Sequence, residues 1–131
     1  MIKMIITKDK KYNDIIKWCL EDILKMDNYK VNIKYGKIEG DGRGEMVFPN
    51  TVKINKNLDK SWTVQALIHE LRHYFQKKTK MFDFLMTIEE EAAWKSTSEG
   101  FLMYWNKPWE KDSRKFTTET YKKYQKKFKK L

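Results

Sequence analysis

His69-Glu70-Leu71-Arg72-His73 places both histidines of this 131-residue chain four apart, with a glutamate directly after the first. A spacing of four is close to one turn of 3.6 residues, so on a helix both imidazoles share one face. Two neutral imidazoles on one face can bind a single zinc ion, and the intervening carboxylate can reach a water on that ion. The chemistry expected of this stretch is metal-dependent hydrolysis.

The helix that must hold these side chains is expected to start at Ser61, a good N-cap, and to run to about Lys78. Its apolar residues Val64, Leu67, Ile68, Leu71 and Phe75 form one stripe. At 100° per residue that stripe centres almost opposite the sector of Ala66, His69, Glu70 and His73. A histidine that only fills the core would sit inside the stripe, and these two do not. They face a second surface, over which another element must close.

Upstream, residues 1–7 read as a short strand, and Asp9 to about Met26 as a helix built on Ile15, Ile16, Cys19, Leu20, Ile23 and Leu24. Tyr29–Tyr35 alternates with period two, as a half-buried strand does. Gly36, Gly40, Gly42 and Gly44 crowd a turn-rich connection, and Glu45–Phe48 and Thr51–Asn55 give two more strands around Pro49-Asn50. The expected fold is α+β, with a small, mainly antiparallel sheet packed on the HExxH helix. Downstream, Thr87-Ile88-Glu89-Glu90 fits a capping box that opens a helix running through Trp94 and Phe101 to about Trp105. Pro108 marks a break. A final basic helix, about Thr117 to Lys130, puts Tyr121, Tyr124, Phe128 and Leu131 on one side. No repeat and no long linker divides the chain, so residues 1–131 are expected to form one domain.

A catalytic zinc needs three protein ligands and a fourth position for water. With no third histidine and one apolar-flanked cysteine, the third ligand should be a carboxylate, and Glu89-Glu90-Glu91 is the obvious source. Glu89 ranks first, because Ala92, Ala93 and Ser96 share its face and allow close helix approach. Glu90 ranks second, since capping already explains it, and Glu91 points towards Trp94. A solvated acidic first turn favoured by the helix dipole is the competing explanation of all three.

At these residues the chain resembles the gluzincin branch of the zincin metallopeptidases, in which HExxH is completed by a glutamate on a following helix. Within that branch it is most similar to small metallopeptidase-like proteins of phages and mobile elements, with His69–Gln76 and Glu89–Ala92 carrying the likeness. Thr51–Asn55 would take the place of the family's edge strand before the active-site helix. The resemblance spans roughly residues 50–105. It implies a minimal zincin-like domain with Zn2+ held by His69, His73 and Glu89 (Glu90 as second choice), a peptide or protein substrate, and an amide carbonyl as target. Glu70 would accept a proton from the metal's water and pass it to the leaving amine. Arg72, Tyr74 and Tyr104 are candidate donors to the oxyanion, and spacing selects none of them.

The net charge of +10 is uneven: residues 107–131 hold nine lysines and Arg114 against Glu110, Asp112 and Glu119, leaving only +3 for the rest. The segment of about 114–131 mixes aromatics with lysines. Lys122, Lys123, Lys126, Lys127, Lys129 and Lys130 could meet nucleic acid or an acidic protein, while the rings either stack on bases or pack on the body. The alternative function is therefore a non-catalytic, phage-type binding or inhibitor protein, metal-stabilised or metal-free, acting through this helix. Lysine outnumbers arginine 25 to three, which a low-GC coding sequence explains equally well. Gly40–Gly44 lacks a phosphate-loop ending and reads as a turn. Cys19 is expected to be a buried thiol, in keeping with a reducing, cytoplasmic location, that of a bacterial host if phage-encoded. No stretch approaches the roughly 20 apolar residues of a membrane span, and no membrane partner is expected.

Overall fold

The structure, a computed structural model, describes residues 1–38, 42–83 and 96–128. It is an α+β arrangement of a four-stranded mixed sheet and, among the described residues, four helices. The strands are β1 (Lys3–Ile6), β2 (Tyr29–Gly36), β3 (Gly44–Val47) and β4 (Thr51–Asn55), in the order β1-β2-β4-β3. The helices are α1 (Asn13–Trp18), continued by a π turn at Cys19–Ile23, then α2 (Lys60–Lys78), α3 (Ser98–Trp105) and α4 (Pro108–Phe128).

Alternation decides which face of each strand goes inside. Tyr29, Val31 and Ile33 of β2 and Val52 and Ile54 of β4 are buried, while Lys30, Lys34 and Lys53 face out. The expected mainly antiparallel sheet is not what forms. β1 pairs with β2, and β2 with β4, in parallel, and only β3 and β4 form an antiparallel pair. The reason is connectivity: α1 carries the chain from the end of β1 back to the start of β2, and such a crossover can only join parallel strands. β4 then inserts between β2 and β3. It is therefore central, and the edge strand beside α2 is β3 rather than Thr51–Asn55.

The helix α2 forms where its periodicity puts it, two residues earlier than expected. Asp59, not Ser61, is its N-cap and accepts a hydrogen bond from the Trp62 amide at 2.9 Å. Ser61 lies inside the first turn, where its hydroxyl meets that of Tyr121 at 2.6 Å. Val64, Leu67, Ile68 and Leu71 are buried in a core shared with Ile15, Ile16, Cys19 and Leu20 and with the inner face of the sheet. The opposite side of α2, with Ala66, Glu70 and His73, is buried too. α4 packs there, and β3 reaches Glu70 through Gly44.

Two downstream boundaries differ from expectation. The first half of the helix expected from Thr87 to about Trp105, residues 87–95, falls outside the described residues. Its described part begins afresh at α3, where the Thr97 side chain accepts from the Gly100 amide at 2.9 Å. Pro108 opens α4 instead of separating elements, because at a first helical position its missing N–H is not needed. The basic helix thus starts nine residues before Thr117. Tyr124 and Thr120 of α4 are buried, and Phe128 packs edge-on against Trp18, with ring centroids 5.4 Å apart.

Candidate metal centre

On α2 the i, i+4 spacing brings the two imidazoles together as the sequence requires, with His69 Nε2 and His73 Nε2 3.2 Å apart. The carboxylate that meets them comes from α4. Glu110 Oε2 lies 2.6 Å from His73 Nε2, and Oε1 lies 3.4 Å from His69 Nε2. Among the described residues, His69, His73 and Glu110 are the one group of three with metal-ligand chemistry and mutual proximity. Glu89, Glu90 and Glu91 lie outside the described residues.

The electrostatics follow from burial. Burial opposes charge on both His73 and Glu110, yet each holds the other's charge in place. The two imidazoles pull Glu110 down to about 2. Glu110 and Glu70 push His73 up to about 9. Glu110 Oε2 is buried, and its close contact is the ion pair with His73 Nε2 at 2.6 Å. A carboxylate buried against two imidazoles must be paired with a positive charge, and a metal cation is one alternative to the His73 proton.

The tautomer of His73 is set by its neighbour. The Gln76 amide nitrogen donates to the Trp109 carbonyl at 2.9 Å and to Asp112 Oδ2 at 2.8 Å. Both partners are acceptors, so the other end of the amide must be the oxygen, and that oxygen lies 2.8 Å from His73 Nδ1. Nδ1 therefore carries a proton, and Nε2 is the nitrogen left to bind a metal.

This donor set fits zinc. Two imidazole nitrogens and a carboxylate oxygen are common zinc donors, and tetrahedral zinc at about 2.0–2.2 Å spaces its ligands about 3.3–3.5 Å apart. Two of the three separations are already 3.2 and 3.4 Å, and the third is the direct His73–Glu110 contact. Only His69 opens outwards, with its side chain 23% exposed against 6% for His73 and 5% for Glu110.

Glu70 points away from the apolar stripe and is buried, and burial raises its pKa against the pull of both histidines. It lies beneath β3, where a Cβ on Gly44 would come within 3.1 Å of Glu70 Cγ and 3.2 Å of the Lys53 carbonyl. That contact accounts for Gly44, which sequence alone shows only as one more turn glycine.

The three candidate oxyanion donors separate. Arg72 is held by Asp112 through two hydrogen bonds of 2.7 and 3.1 Å. The Tyr74 hydroxyl accepts from the Lys30 amide at 3.1 Å, away from the site. Tyr104 faces inwards: burial, chiefly, and the nearby carboxylates of Glu110 and Glu70 raise its pKa, and its hydroxyl donates to Glu110.

Sequence reading missed Glu110. The available signal was Pro108-Trp109-Glu110, a proline at a first helical position followed by an acid in the first turn, masked by the lysines that follow. No known protein family, curated protein or solved structure matches this chain.

Proposed function

We propose that this chain is a small zinc-dependent metallopeptidase in which His69, His73 and Glu110 hold the ion and Glu70 is the general base. One observation carries the reading: a buried carboxylate from a distant helix converges on both imidazoles of the HExxH motif, the one such cluster among the described residues. The resemblance to gluzincins agrees with it in kind, since a glutamate from a later helix completes the set. It differs in placing that glutamate on α4, beyond the 50–105 stretch that carries the likeness.

When bound, zinc would supply a Lewis acid that acidifies water and polarises a carbonyl. The chain's own groups do the rest. Glu70, with its pKa raised by burial, takes a proton from the attacking water and returns it to the leaving amine. Tyr104 would donate to the developing oxyanion, in exchange for its bond to Glu110. The outer edge of β3 suits a substrate in extended form. A peptide adding to that edge would run past Gly44 and so over Glu70.

The test joins metal content to hydrolysis. Protein purified without chelator should hold about one zinc per chain. His69→Ala, His73→Ala and Glu110→Gln should each lose the metal, while Glu70→Gln should keep it and lose turnover of a peptide library. Glu89→Gln and Glu90→Gln serve as the comparison, and metal loss in either with retention in Glu110→Gln would return the third ligand to that cluster.

A second reading rests on the surface of α4. Lys122, Lys123, Lys126 and Lys127 are exposed, and Tyr124 is buried beneath them. With Tyr124 and Phe128 turned to the body, base stacking is not offered by those rings, and a polyanion would be held by charge alone. Under this reading, Glu70→Gln leaves the biological effect intact and replacing the four lysines with serine abolishes it.

A further inference from the structure

Gln76 is fully buried three residues beyond His73, and it makes polar contacts to two different elements. Its amide oxygen accepts from His73 Nδ1 at 2.8 Å. Its amide nitrogen donates to the Trp109 carbonyl at 2.9 Å and to Asp112 Oδ2 at 2.8 Å. Trp109 and Asp112 flank Glu110 on either side in the first turns of α4. Asp112 is in turn clamped by Arg72 through two hydrogen bonds, and that guanidinium lies 4.9 Å from the Phe75 ring centre and 4.7 Å from that of Phe116. Ser113, one residue further, donates to the His69 carbonyl at 2.8 Å. The registry of α4 on α2 is thus fixed by polar bonds placed around Glu110.

We infer that Gln76 is a positioning residue for two metal ligands at once, orienting His73 through its oxygen and setting Glu110 through its nitrogen, with Asp112 and Arg72 as the brace. The inference rests on the metal-site reading above. A glutamine is suited to the task because one amide both accepts and donates, whereas a carboxylate there can only accept and would face Asp112. It reverses the ordinary reading of a buried glutamine as a satisfied core polar group. The contacts are made to the tautomer-setting nitrogen of one ligand and to both sides of another.

The experiment measures zinc affinity by competition with a chromophoric chelator and the visible spectrum of the cobalt(II)-loaded protein. Gln76→Leu should weaken zinc by about 10–100-fold and change the cobalt bands, with the metal-free fold retained by circular dichroism. Gln76→Glu keeps an acceptor for His73 but loses the donor to α4. It should weaken zinc at least tenfold, and adding Glu110→Gln to it should then cost little more, although Glu110→Gln alone costs much. If Gln76→Leu fails to fold, Asp112→Asn reports instead, with an expected weakening of about tenfold and the same altered cobalt bands. Zinc binding within about threefold of wild type in Gln76→Leu, or in Asp112→Asn where that variant reports, overturns the inference. So do fully multiplicative effects of Gln76→Glu and Glu110→Gln. Wild-type protein that takes up no zinc overturns the metal-site reading itself, and a wild-type site unaffected by Glu110→Gln moves the failure to the third ligand.

Discussion

At the scale of residues, the centre is an ion pair waiting to be divided. In metal-free protein His73 titrates at about 9, against an ordinary 6.5. That raised value means the His73 contribution is fully present below pH 6.5 and lost as pH rises through about 9. The lowered value of Glu110 means the pair is also lost as pH falls from 4.5 through about 2. A metal must displace the proton on Nε2, so zinc affinity should rise about tenfold per unit between pH 7 and 8. Isothermal titration in buffers of different ionisation enthalpy would count the proton released. A flat pH dependence there would remove His73 from the ligand set. Glu110→Gln should erase both the pH-dependent stability and the metal. The two histidines and Glu70 were legible in the sequence because helical spacing alone brings them together. Glu110 was not, since its proximity depends on a contact between helices 37 residues apart along the chain from His73.

At the scale of elements, α2 is buried on two sides, and β3 runs against its functional face. Gly44 permits that approach, because a methyl group there meets the Lys53 carbonyl as well as Glu70. The side chain of Glu70 can move, but the backbone of β4 cannot, so Gly44→Ala should cost about 1–3 kcal/mol in denaturant unfolding. It should reduce turnover further by displacing Glu70, while zinc content stays at one per chain. β2 and β4 were readable from alternation, and α2 from its stripe. The parallel pairing was not, because period-two patterning fixes which face is buried and says nothing of a neighbour's direction. The early start of α4 was hidden because Pro108 is both a helix breaker and a good first residue, and only the tertiary contact of Trp109 and Glu110 with α2 decides between them.

At the scale of the molecule, α4 belongs to both the core and the centre: Tyr124 and Thr120 are buried at one end and Glu110 at the other. A ligand that bridges α2 and α4 favours the folded state by mass action, by about 2.7 kcal/mol at a hundredfold excess over its dissociation constant. Zinc should therefore raise the melting temperature, and a chelator should lower it. Limited proteolysis of chelated protein should cut within α3 or the start of α4 before it cuts α2. Equal cleavage rates with and without zinc would show that α4 docks independently of the ion. The order of the elements along the chain also bears on birth of the protein at the ribosome. His69, Glu70 and His73 are synthesised first, and Glu110 follows His73 by 37 residues, about 2–7 s of translation. During that interval the nascent chain holds Glu70 and the two imidazoles but lacks Glu110, the third ligand proposed above. If the proposed activity holds, hydrolysis is withheld until Glu110 has emerged, and a polypeptide terminated before it would be released inactive.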